Sequence, residues 1–142
     1  MKRMLLVLVA ACAGCASREK IKDAYAKGEG TAAVYPIDPK AAFDIGRTVL
    51  FWEGAKTIDE FSEEGYMLCR ISGGYGCGVG VWYAEVDAGK TRVTVITRRN
   101  MSMSLTTGLT ETTFQKDYAK AVAIRASGQE LPQERPPDSP TK

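Results

Sequence analysis

The segment spanning residues 79–98, VGVWYAEVDAGKTRVTVITR, constrains this chain more than any other. Residues 79–86 and 91–98 both alternate at period two, and Asp87-Ala88-Gly89-Lys90 joins them. Alternation over such a length is the mark of a half-buried strand, and a short connection containing glycine folds two such runs into an antiparallel hairpin. With Asp87 opposite Lys90, Ala84 faces Val93 and Trp82 faces Val95, which makes one apolar face. Glu85 then faces Arg92 and Tyr83 faces Thr94 on the other. Because side chains alternate, a slip of one residue would exchange the faces. The pattern predicts a sheet with one face under helices and the other partly wet.

Helices to cover that sheet are legible on either side. Asp38-Pro39 is a helix start: Asp supplies an N-cap oxygen, and proline in the first turn loses no needed N–H. Ala42, Ile45, Val49 and Trp52 recur at three- and four-residue spacing, Phe43 and Leu50 widen the stripe, and Gly54 supplies a stop. These signals predict a helix over 39–53. Gly46 within it costs about 1 kcal/mol relative to alanine, which points to a close packing contact. A second helix is expected over 110–127, with Phe114, Tyr118, Ala121 and Val122 on one face. The remaining strands are expected at 31–37, 55–61 and 66–72, with a turn at Ser62-Glu63-Glu64-Gly65 and a glycine-rich connection over 73–78. The order β-α-β-β-β-β-α predicts an α+β domain over 31–127: an antiparallel sheet of four to five strands with two helices packed on one face. At 44% hydrophobic and 25% charged residues, the chain can build such a core. Residues 128–142 carry Pro132, Pro136, Pro137 and Pro140 and are expected to be a disordered tail.

The N-terminus indicates a compartment. Lys2 and Arg3 precede the apolar run MLLVLVAA, and small residues, CAGCAS, come next. That is the charge, apolar and cleavage-zone order of a secretory signal. Cys12-Ala13-Gly14-Cys15, followed by Ala16-Ser17, resembles a bacterial lipobox, with Cys12 where Leu is usual. The resemblance implies that residues 1–14 are removed and that Cys15 carries the acyl chains (palmitate among them); residues 15–30 are a lipidated start followed by SREKIKDAYAKGEG, whose polar, charged composition reads as a tether with some helix. Val9-Ala10-Ala11-Cys12 also fits the pattern but would leave a very short signal, so Cys15 is preferred. Ala16 rather than Asp after the cysteine resembles, by the sorting rule of enteric bacteria, a lipoprotein of the outer membrane. The element order and the RVTVIT-loop-TGLTETTF passage resemble small proteobacterial lipoproteins of unknown function, over roughly 31–127, and lend no catalytic residue.

Few chemistries remain open. The chain has no histidine, which removes Ser-His-Asp and Cys-His nucleophilic catalysis and histidine-based zinc sites. A net charge of +2 without a basic stripe gives no nucleic-acid footprint. Residues 84–91, AEVDAGKT, approach a P-loop, but a strand comes next where a phosphate-binding helix is required, so no nucleotide is expected. Asp59, Glu60, Glu63 and Glu64 read as a solvated turn. Gly76, Gly78 and Gly80 share a strand face with Trp82, which predicts either close packing of another element or a ligand groove. If Gly73 is the midpoint of its loop, Cys69 falls opposite Cys77, and an exported chain would favour their disulfide. No cofactor, metal or catalytic residue is expected.

Together these features predict a non-catalytic, lipid-anchored envelope protein that binds the membrane through its lipid and an envelope protein through its domain. Two alternatives are a carboxylate-based enzyme acting on glycans and a structural tether joined to peptidoglycan through Lys142.

Overall fold

The computed structural model describes residues 13–71, 77–99 and 107–137, and the side chains of 18–71, 78–98 and 111–137. It is an α+β fold with the element order α1(Ala13–Ala26), β1(Thr31–Tyr35), α2(Pro39–Trp52), β2(Ala55–Phe61), β3(Tyr66–Ile71), β4(Cys77–Asp87), β5(Lys90–Arg99) and α3(Thr107–Ala126). The five strands form one antiparallel sheet in the order β1-β5-β4-β3-β2. α2 therefore carries the chain from one sheet edge to the other, and the meander β2 to β5 brings it back beside β1.

The helix α2 forms as its sequence dictates. The Asp38 carboxylate accepts from the Ala41 N–H at 2.9 Å, Pro39 opens the first turn, and Glu53 caps the end before Gly54, whose φ is +102°. Its buried stripe, with Ile45, Val49 and Leu50, packs on Met67, Val79, Val81, Val93 and Val95 of the sheet. α3 adds Phe114, Tyr118 and Ala121 to the same core. Tyr118 Oη donates to the Ala42 carbonyl at 2.6 Å, tying α3 to α2. The Gln115 amide donates to the carbonyls of Thr31 and Val93, at 2.9 and 3.0 Å, and so fastens α3 to the β1–β5 pair. The close contact expected at Gly46 is with Tyr83: a Cβ there would overlap the phenol oxygen.

Four expectations need correction. The β4–β5 hairpin does pair Asp87 with Lys90, but an irregularity between Glu85 and Asp87 leaves Val86 extra on β4. This bulge shifts the register by one. Tyr83 faces Val93, Val81 faces Val95, and Trp82 faces Thr94 rather than Val95. Since one extra residue exchanges the faces, Tyr83 lies under α2 and Trp82 on the opposite side.

The second face is partly wet as expected, with Val34, Arg70 and Arg92 exposed on it, but its centre is covered. Residues 15–30, expected to be a partly helical tether, are helical through Ala26 as that allows, but α1 is docked rather than free, burying Ile21 and Ala24 against Leu68, Trp82 and Ile96. Thus α2 and α3 share one face, and α1 covers the centre of the other.

The tail is docked over its described part. Leu131 packs against the main core, the Trp52 indole donates to the Pro132 carbonyl at 2.9 Å, and Arg135 is ion-paired to Asp117. Residues 138–142, including Pro140 and Lys142, lie outside the described residues.

The cysteine register also differs. Cys69 stands opposite Val79, and Cys77 stands opposite Ile71. The two cysteines are diagonal neighbours, for which Cα separations of about 7–8 Å are usual, whereas a disulfide needs Cβ atoms about 3.5–4.5 Å apart. The direct opposition that motivated their pairing is absent because the β3–β4 register is offset from the one that would centre the connection on Gly73. The Cys77 side chain lies outside the described residues.

Candidate functional site

Cys15 falls in the first turn of α1, with its side chain outside the described residues. The later turns of α1 are anchored to the sheet. Tyr25 stacks on Trp82 with ring centroids 4.3 Å apart and planes within 6°, and Tyr66 and Phe61 continue the stack across β3 and β2. Arg18 pairs with Asp59 of β2, and Arg98 of β5 pairs with Glu29 just beyond the helix.

This packing decides the glycine stripe. A Cβ on Gly80 would lie 2.6 Å from Ile21 Cγ2, and one on Gly78 would lie 3.0 Å from Ile21 Cδ1. Bare backbone at these positions lets α1 approach the sheet. Gly78, Gly80 and Trp82 are thus brought together as a seat for α1, and the space expected as a ligand groove is filled by Ile21. Gly76 lies outside the described residues.

On the other face, at the N-terminal end of α2, an open pocket of about 510 Å³ lies between that helix and the β2–β3 turn. Phe43 and Tyr83 contribute apolar wall, and Lys40, Asp44, Arg47 and Glu60 contribute charge. The Arg47 guanidinium is shared: Nε donates to Glu60 at 2.8 Å and Nη1 to Asp44 at 3.1 Å, while the cation lies 5.9 Å from the centre of the Phe43 ring. Hydrogen bonding to Glu60 is the chief influence holding Arg47 charged. Tyr83 Oη is buried and, among the described residues, has no hydrogen-bond partner. Burial pushes its ionisation well above the ordinary phenol range. Of the turn carboxylates read as solvated, Glu60 belongs to this pocket and Asp59 to the α1 contact.

A second polar cluster lies at the opposite end of α2. Glu53 meets Asp117 of α3, and Arg135 of the tail closes over them. Asp117 is 0% exposed, and Arg135 Nη2 lies 2.9 Å from its Oδ2 and 3.2 Å from its Oδ1, with hydrogen-bond geometry only to the latter. Glu53 Oε1 and Asp117 Oδ2 are buried without a hydrogen-bond partner among the described residues when both groups are ionised acceptors. Burial, then hydrogen bonding and charge from Asp117, push the Glu53 carboxyl up to about 8, with Arg135 acting in the opposite direction. Sequence reasoning missed this cluster because its members come from three separate segments. The one local signal was Glu53 at the end of a helix, where a carboxylate opposes the helix dipole.

Among the described residues, no helix is long and apolar enough to cross a membrane, and no group of three or more carboxylates and cysteines could hold a metal ion. Comparison with protein-family models, with curated proteins and with solved structures found no match.

Proposed function

We propose that this chain is a lipid-anchored envelope protein whose α+β domain is a non-catalytic binding or assembly module, held at the membrane through Cys15. The observation that carries the reading is the lipobox-like run ending at Cys15, continuous with a helix that packs on the sheet. At about 1.5 Å rise per residue, Cys15 is roughly 9 Å along the helix from Ile21. A lipid there would hold the sheet and its pocket close to the bilayer, rather than at the end of a flexible linker. Stable anchoring takes more than one acyl chain, which the lipobox resemblance implies.

The pocket beside Arg47 is the surface we assign to a partner envelope protein. Its combination of an aromatic wall and interleaved charges of both signs suits a polar protein surface better than an apolar small molecule. A carboxylate-based hydrolase is the weaker alternative. Asp44 and Glu60 are both engaged by Arg47, and Glu53 and Asp117 touch each other, whereas glycan hydrolysis needs carboxyls about 5–9.5 Å apart.

Intact-mass analysis of the membrane form tests the anchor: a chain beginning at Cys15 with added acyl mass is expected. Cys15→Ser should accumulate as unlipidated precursor or soluble protein. A mature, unlipidated chain beginning elsewhere would contradict the reading. Photo-crosslinkers placed at Lys40 and at Val34, on the far sheet edge, test the surface, with partner adducts expected at Lys40 alone.

A further inference from the structure

The docked tail and the carboxyl pair beneath it make one device. The fully buried Asp117 meets Glu53, which is half-buried with its Oε1 enclosed, and a single, partly exposed guanidinium, Arg135, is supplied to them. Two negative charges against one positive leave the cluster one charge short of neutrality, which is costly where solvent cannot screen it. The hydrogen bonding says the same. The orphaned oxygens Glu53 Oε1 and Asp117 Oδ2 are both acceptors when both groups are ionised, and one proton turns one carboxyl into a donor to the other. That proton brings the charge to balance and satisfies the pair together.

The lid over this pair is the tail itself. Leu131 packs on the main core, the Pro132 carbonyl takes the Trp52 indole proton, and Arg135 reaches Asp117. Glu130 and Glu134 of the same segment are exposed to solvent, as is Lys56 beyond the end of α2, so the charged groups acting on Glu53 are Asp117 from α3 and Arg135 from the tail. We propose that residues 129–137 form a strap whose hold requires a proton on Glu53 where it faces Asp117, so that the strap is firm in acidic solution and loosens as pH rises.

The direction comes from linkage. With the strap in place the Glu53 carboxyl is raised to about 8 from its usual 4.5; lifting the strap returns water to the pair, removing the largest cause of that rise against the smaller opposing loss of Arg135, and the carboxyl falls although Asp117 beside it still acts to raise it. Docking therefore takes up a proton. Its advantage is complete in acidic solution, declines by up to about tenfold per pH unit as pH approaches 8, and levels off beyond about 8, where both states are ionised.

The Trp52 indole reports the strap directly, because its N–H is bonded to Pro132. Its hydrogen-exchange protection factor, measured on the full chain from pH 5 to 9.5, is expected to fall with pH at up to about tenfold per unit and to become flat above about 8. Glu53→Gln keeps a donor facing Asp117 at every pH. It should hold the protection factor constant across the range, near the wild-type value at low pH. Protection independent of pH in the wild type would overturn the proposal even if the variant failed to fold. A Glu53→Gln protein that keeps the wild-type slope would overturn it too, by assigning the effect to another group.

Discussion

The two faces of the sheet are built on different terms. Under α2 and α3 the core is deep: Ile45, Val49, Leu50, Met67, Val81, Val93, Val95 and Tyr118 are all essentially inaccessible to water. Under α1 it is thin: Ile21 and Ala24 meet Leu68, Trp82 and Ile96, and the remaining contact is an aromatic stack and surface ion pairs. The first face arises from apolar periodicity. The second arises from the absence of side chains at Gly78 and Gly80, which lets a mostly polar helix lie close to the backbone. The comparison teaches that a helix with little apolar surface can still dock on part of a sheet if the sheet makes room for it.

Substitutions should separate the faces, beginning with the deep one. Leu50→Ala should cost about 2–5 kcal/mol in chemical denaturation, because the closely packed site cannot collapse around the loss. Gly46→Ala should be comparably harmful, since its Cβ would overlap Tyr83 Oη. Tyr83→Phe deletes that unpartnered hydroxyl and should recover a substantial part of the loss, a coupling that a double-mutant cycle would read. Independence of the two changes would mean that the helix relieves the overlap elsewhere.

On the thin face Ile21→Ala should cost nearer 2 kcal/mol. The loss should appear first as faster amide exchange confined to α1, with the sheet protected as before. A global loss as large as that of Leu50→Ala would erase the distinction between the faces.

Both sides of this comparison bear on what the sequence could reveal. α2 was legible because its cap, stripe and stop lie within a few residues of one another. The antiparallel sheet and the order of elements along the chain were legible because alternation is local. The bulge at Val86 was not, since a single extra residue leaves no mark on composition, and it reversed the faces of Trp82 and Tyr83. α1 left a faint signal: Ile21, Ala24 and Tyr25 stand at helical spacing, but the charges of SREKIKDAYAKGEG outweigh them. The proline-rich tail read as disorder because composition does not show that Leu131, Pro132 and Arg135 each find a partner in the fold. The carboxyl pair was out of reach because Glu53 and Asp117 meet only after α2 and α3 have packed.

Smaller effects test the margins. Truncation after Gly128 removes the Trp52–Pro132 hydrogen bond and the partial burial of Leu131, for an expected loss of about 1–2 kcal/mol near pH 5 and less near pH 9. An equal loss at both pH values would break the link between tail and proton. Arg18→Ala removes a half-exposed ion pair with Asp59 and should cost no more than about 0.5 kcal/mol, diminishing further in high salt.

The central claim is that the helix bearing Cys15 is a packed part of the domain and not a tether. Nuclear Overhauser contacts in the full chain test it most directly. The account predicts contacts from the Ile21 methyls to the Trp82 ring and from the Tyr25 ring to the same indole, with α1 amides protected from exchange. Amides over residues 18–26 exchanging at unfolded-chain rates, with no contact between Ile21 and Trp82, would contradict it.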